Sequence, residues 1–81
     1  MKFRKKPIIV EAEQFFPDKP LPHRDKGAVV CFDGAEWFVI TIHNREARLD
    51  PGDWVILEPG DGLKAYPCKP DVFKATYEPV D

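Results

Sequence analysis

Hydrophobic positions recur with a period of two over most of the chain. Ile8, Val10, Ala12 and Phe16 alternate with Glu11, Glu13 and other residues, which predicts a first strand over 8–16 with one buried face. Pro7 is tolerated at or before the start of such a strand. A second extended run covers 28–32. A third and longest, 35–43, is rich in aromatic and β-branched residues that suit a pleated surface. Asp33-Gly34 between them reads as a two-residue hairpin, since both centres of a type I′ turn need positive φ. Asn44-Arg45 turns the chain into a short strand over 46–49. Asp50-Pro51-Gly52-Asp53 then places proline and glycine where a tight turn favours them. A strand over 54–58, a turn at 59–62 and a strand over 63–66 follow.

Pro67-Cys68-Lys69-Pro70 breaks this rhythm. Pro70 suits the first position of a helix, where its missing N–H costs nothing, and Asp71 beside it favours the helix dipole. One or two helical turns over 72–76 are therefore expected. Residues 77–80 read as a last extended segment, with Pro79 restricting it to an edge or tail. Three prolines and alternating charges mark 17–26 as a surface loop, the most mobile part of the chain. The expected fold is mainly β: one domain over 1–81, an antiparallel β-meander or small barrel with one short C-terminal helix.

The central strands are apolar on both faces. Phe38, Ile40 and Ile42 line one side of the longest strand, and Trp37 and Val39 the other; Val55 and Leu57 lie opposite Trp54 and Ile56. A sheet with one wet face alternates apolar and polar residues instead. The helix around Phe73 and the first strand can cover one face. The other is closed by curling into a barrel, by a second copy, or by a ligand or partner at an exposed aromatic surface.

Composition narrows the chemistry. The 81 residues are 43% hydrophobic and 32% charged, a globular balance that allows one small domain with a thin core. Nine prolines and five glycines argue against long helices. The chain has no serine, which removes serine-nucleophile chemistry. No signal-peptide pattern and no run of membrane-spanning length is present, so a cytoplasmic protein without membrane association is expected. Cys31 and Cys68 have no CxxC partner and read as free thiols.

Each candidate chemistry meets a plainer explanation. His23, His43, Cys31 and Cys68 lack the close pairs of a zinc site, so no metal is expected. Cys68, beside Lys69, has a neighbour that lowers a thiol pKa, but it also sits in a rigid proline corner. Asp50, Asp53 and Asp61 are turn residues first. Gly60 and Gly62 flank an aspartate and match no phosphate loop. Lys2, Arg4, Lys5 and Lys6 form a basic arm suited to phosphates. It leaves a net charge of −6 on the rest of the chain, which disfavours nucleic acid as the main partner. No catalytic constellation and no cofactor site emerges, and an enzyme is not expected.

Two blocks carry a resemblance. The opening Met1-Lys2-Phe3-Arg4-Lys5-Lys6-Pro7-Ile8-Ile9-Val10-Glu11-Ala12 is one. The other is Pro51-Gly52-Asp53-Trp54 with Tyr66-Pro67-Cys68-Lys69-Pro70-Asp71-Val72-Phe73 and Thr76-Tyr77-Glu78-Pro79-Val80. Both are similar to a family of small proteins of tailed bacteriophages and prophages; residues 14–48 lie outside the resemblance. It implies a phage or prophage origin and a host-cytoplasm setting, and no reaction. The function expected is non-enzymatic binding, as a homo-oligomer or on a host protein such as an anti-phage defence factor. One alternative is an oligomeric sponge for a nucleotide-type small molecule, held by Trp37, Trp54 and Tyr66 through stacking and by Arg45, Arg48 and Lys69 through phosphate pairing. A virion or assembly accessory, or a weak nucleic-acid binder, is another.

Overall fold

The period-two runs fold as two three-stranded antiparallel sheets. The computed structural model describes residues 1–3 and 9–79, with backbone only at 61 and 62. The first sheet contains β1 (Ala12–Gln14), β5 (Trp54–Glu58) and β6 (Asp61–Cys68), in the order β1-β5-β6. The second contains β2 (Val30–Phe32), β3 (Trp37–Ile40) and β4 (Glu46–Leu49), in the order β2-β3-β4. Helix α1 (Pro70–Thr76) follows β6. Val55, Leu57 and Ala65 of the first sheet and Val30, Val39 and Leu49 of the second belong to one buried core with Phe15 and Val29. Their spacing of two along each strand puts them on the facing sides of the two sheets. Each valine, leucine or phenylalanine among them contributes roughly 1.5–3 kcal/mol on burial.

The mainly β architecture and the helix match the sequence reading, whereas the barrel alternative does not form. The two sheets are separate hydrogen-bonded units, so the structure is not a closed barrel. The meander is also interrupted: β4 and β5 are consecutive but belong to different sheets. The cause lies at the turn over 50–53. Asp53 N–H donates to Asp50 O at 3.0 Å, with Gly52 at φ 93°, as in a type II turn. Gly52 N–H donates to Phe15 O at 2.7 Å and Phe15 N–H to Asp53 O at 2.8 Å. The turn is thus joined to the end of β1, and β5 continues along β1 instead of folding back on β4.

The same capture explains why the first strand is shorter than expected. Extended pairing covers only β1, and Phe15 leaves the strand to enter the core while Phe16 stays exposed. Ile8 and Pro7 lie outside the described residues. At 33–36 the expected two-residue turn is a four-residue loop, because Asp33 Oδ1 accepts from Ala35 N–H at 2.9 Å and Glu36 N–H at 2.7 Å. Those bonds, Glu36 first, hold the Asp33 carboxyl below its usual range. The run over 35–43, expected to be the longest strand, pairs only over Trp37–Ile40, because Asn44 takes φ 58° and a turn over 41–45 closes with Thr41 N–H donating to Arg45 O. Strand β6 is longer than expected, with a bulge between the pairs Leu57↔Ala65 and Glu58↔Asp61. Its edge position accommodates Pro67.

The expected surface loop over 17–26 is only partly on the surface. Pro22 and His23 are buried, Leu21 packs on the core, and Arg24–Lys26 forms one 3-10 turn. Helix α1 begins as expected, with Pro70 at its first position, Asp71 in its first turn and Phe73 N–H donating to Lys69 O. Among the described residues no helix is long and apolar enough to cross a membrane.

Gly52 offers a test of the turn that separates the sheets. A Cβ there would meet only Pro70 Cγ, at an ordinary 3.8 Å. Gly52→Ala therefore adds backbone strain without a clash, and should lower stability by roughly 1–2 kcal/mol in urea unfolding.

Candidate functional site

The outer face of the first sheet is closed by aromatic stacking. Cross-strand pairing puts Ala12, Ile56 and Tyr66 in one row and Gln14, Trp54 and Cys68 in the next. Helix α1 lies on this face. The Trp54 and Phe73 rings are 4.1 Å apart and 6° from parallel, and Phe73 stacks on Tyr77 at 5.0 Å. The Tyr77 and Tyr66 hydroxyls meet at 3.1 Å. Burial first, then the bond to Tyr77, pushes the Tyr66 phenol well above its usual range. Ile56, in the row beside Trp54, is fully buried.

Beside this column the charged residues of the 50–53 turn form a ladder. Lys69 Nζ lies 2.9 Å from Asp50 Oδ2 and 3.1 Å from Asp53 Oδ1. Asp53 is only 2% exposed, and its Oδ2 also accepts Asp50 N–H at 3.0 Å. Arg48 Nε reaches Asp50 Oδ1 at 3.3 Å, and its Nη1 reaches Glu36 Oε1 at 3.5 Å. The hydrogen bond from Lys69 holds the Asp50 carboxyl below its usual value, and the bonds to Asp50 and Asp53 raise the Lys69 ammonium.

The six residues expected to bind a ligand are therefore placed in four settings. Trp54 and Tyr66 meet through α1. Arg48 and Lys69 meet on Asp50. Trp37 sits on the core side of β3, its ring 5.4 Å from Phe15 and 4.6 Å from Phe32. Arg45 is exposed on the turn over 41–45. The rings are stacked on one another, and two of the three cations are paired with carboxylates. A joint aromatic and cationic pocket is not assembled from these six.

Two further groups show their chemistry in the geometry. Burial, then the charges of Asp53 and Asp71, pushes the Cys68 thiol up, and Lys69 turns to the aspartates. His23, read from the sequence as a loop residue, is 3% exposed and takes φ 58°. Its Nε2 lies 2.9 Å from Val55 O; a carbonyl only accepts, so Nε2 is the donor. Glu13 Oε2 accepts the His23 backbone N–H at 2.9 Å and lies 3.1 Å from Nδ1. The pair fastens the 17–26 loop to β1 and β5. The clue to it is the apolar Leu21-Pro22 step before His23. Among the described residues no three His, Cys, Asp or Glu side chains are grouped to hold a metal ion.

The outer face of the second sheet is built differently. Cys31, Phe38 and Ile40 point to this side and are half-buried. Arg48 lies opposite Phe38, and Glu46 opposite Ile40, both exposed. Ile42 beyond the strand is 51% exposed. The one α-helix among the described residues stacks on the other sheet. Comparison with protein-family models, with curated proteins and with solved structures found no match to the chain.

Two measurements test this picture. Phe73→Ala should cost about 2 kcal/mol, less than a fully buried Phe because the ring is half-buried, and should red-shift Trp54 fluorescence. The second is acid unfolding. The folded state lowers the Asp50 carboxyl from 3.8, so the unfolded chain takes up that proton first as pH falls. The stability from this group is complete above the usual value and disappears as pH drops through the lowered one. Asp50→Asn should flatten the stability loss as pH falls below about 5, leaving the slope due to Asp33.

Proposed function

We propose that the protein works by binding, without catalysis, and that the outer face of the second sheet is its contact surface. The observation that carries this reading is the unequal cover of the two sheets. Trp54 on the first stacks under Phe73 of α1 and Ile56 beside it is buried, while Phe38 and Ile40 on the second form a half-buried row that continues to exposed Ile42. An apolar centre flanked by charged residues is the usual composition of a protein contact surface. The raised Cys68 thiol and the paired Lys69 support a binding role over nucleophilic chemistry. Nucleotide capture draws less support, because Trp54, Tyr66 and Lys69 already engage neighbouring rings, a hydroxyl or carboxylates, and Trp37 and Arg45 lie apart from them. The phage-like blocks at the two ends support a setting in the cytoplasm of a bacterial host. There the chain would occupy a protein, either a second copy of itself or a host factor such as an anti-phage defence protein.

A photo-crosslinking residue placed at Phe38 and, separately, at exposed Val72 on α1 tests the surface in bacterial cells. Protein adducts should form from position 38 and at least tenfold less from 72. Equal yields from both positions, or none from 38, would overturn the assignment.

A further inference from the structure

The register of the second sheet points to the occupant of its outer face, an inference that rests on that face being the contact surface. In β3 and β4, Phe38 pairs with Arg48 and Ile40 pairs with Glu46. All four side chains point outward, since Trp37, Val39, Ala47 and Leu49 point to the core. The face therefore carries two parallel rows, Phe38 beside Arg48 and Ile40 beside Glu46. We propose that the occupant is a second copy of this chain, related by a two-fold axis that runs across the strands between these rows.

That rotation exchanges the rows. Phe38 then packs on the partner's Ile40, and Arg48 faces the partner's Glu46, each contact occurring twice. A two-fold contact requires such self-complementarity, in which residue i meets j and j meets i. Here the apolar pair and the charge pair satisfy it with the same axis. A reversed order of charges along β4 would serve equally well, whereas two like charges would not. Arg48 is available for the exchange: its side chain is 67% exposed, with contacts of 3.3 and 3.5 Å to Asp50 and Glu36. When it turns to the partner, Asp50 keeps Lys69 at 2.9 Å. Three strands of about four residues present a patch of roughly 14 by 14 Å. Two such patches bury less than a standard stable interface, so the dimer is weak and reversible.

Sedimentation velocity of the full chain, from about 5 μM to about 1 mM, tests the arrangement. The wild type should pass from monomer to dimer across that range. Arg48→Glu and Glu46→Arg should each weaken self-association at least tenfold, because like charges then face each other across the axis. An equimolar mixture of the two variants should form a heterodimer, and the double exchange E46R/R48E should dimerise like the wild type. Both positions are exposed, and unchanged far-ultraviolet circular dichroism checks that each variant folds. A wild type monomeric throughout, single variants that dimerise normally, or a mixture that fails to pair would overturn the proposal. If the wild type stays monomeric while position 38 crosslinks to a different protein, the two-fold contact falls and the binding surface stands. If position 38 captures nothing, both fall.

Discussion

The buried carboxylate of Asp53 is the constraint on which the architecture depends. It receives the Asp50 N–H and the Lys69 ammonium, while its own backbone carbonyl accepts from Phe15. One residue thus joins the exit of β4, the start of β5, the end of β1 and the entry to α1. A buried charge is tolerable only when paired and hydrogen-bonded, and losing its partner leaves the desolvation cost uncompensated. Lys69 and the Asp50 N–H supply that compensation. The two sheets are held at this corner by polar contacts and elsewhere by the apolar side chains between them.

Much of this was legible in the sequence because it is local. Pro70 and Asp71 mark the start of α1, the period-two runs mark β4 and β5 at their observed limits, and Pro51-Gly52 marks the turn between them. The signals that misled depend on which distant group takes a backbone bond. Asp33-Gly34 suggests a tight hairpin until the Asp33 carboxylate claims two N–H groups and widens the loop. Alternation puts Phe16 on the buried face with Val10 and Ala12, but the bond from Phe15 to Asp53 ends the strand and turns Phe15 inward instead. His23 looks solvated among prolines and charges, and only the closeness of Glu13 and Val55 makes its burial affordable. The candidate ligand residues illustrate the same limit. Composition gives rings and cations, but their partners within the fold determine whether they remain available.

The apolar character of both sides of the central strands turns out to have three separate uses. The facing sides make the shared core. On the outer side of the first sheet, Trp54 is covered by Phe73 of α1, and Tyr77 just after the helix stacks on that ring. The outer side of the second is half-open, bordered by Arg48 and Glu46, and it is the surface on which the functional proposal stands. Division into two sheets, instead of closure into a barrel, is what leaves this third side available.

The pairing of β1 with β5 also sets an order of events during synthesis. The partner of Ala12 is Ile56, more than half the chain further on. On a ribosome the amino-terminal segment therefore emerges long before its neighbour exists, while β2, β3 and β4 can assemble from adjacent residues. Non-local pairings of this kind form late, after the entropy of closing a long loop has been overcome. Until β5 is available, Phe15 has no complete interior to enter, and a chain ending near residue 50 leaves the core side of the second sheet uncovered.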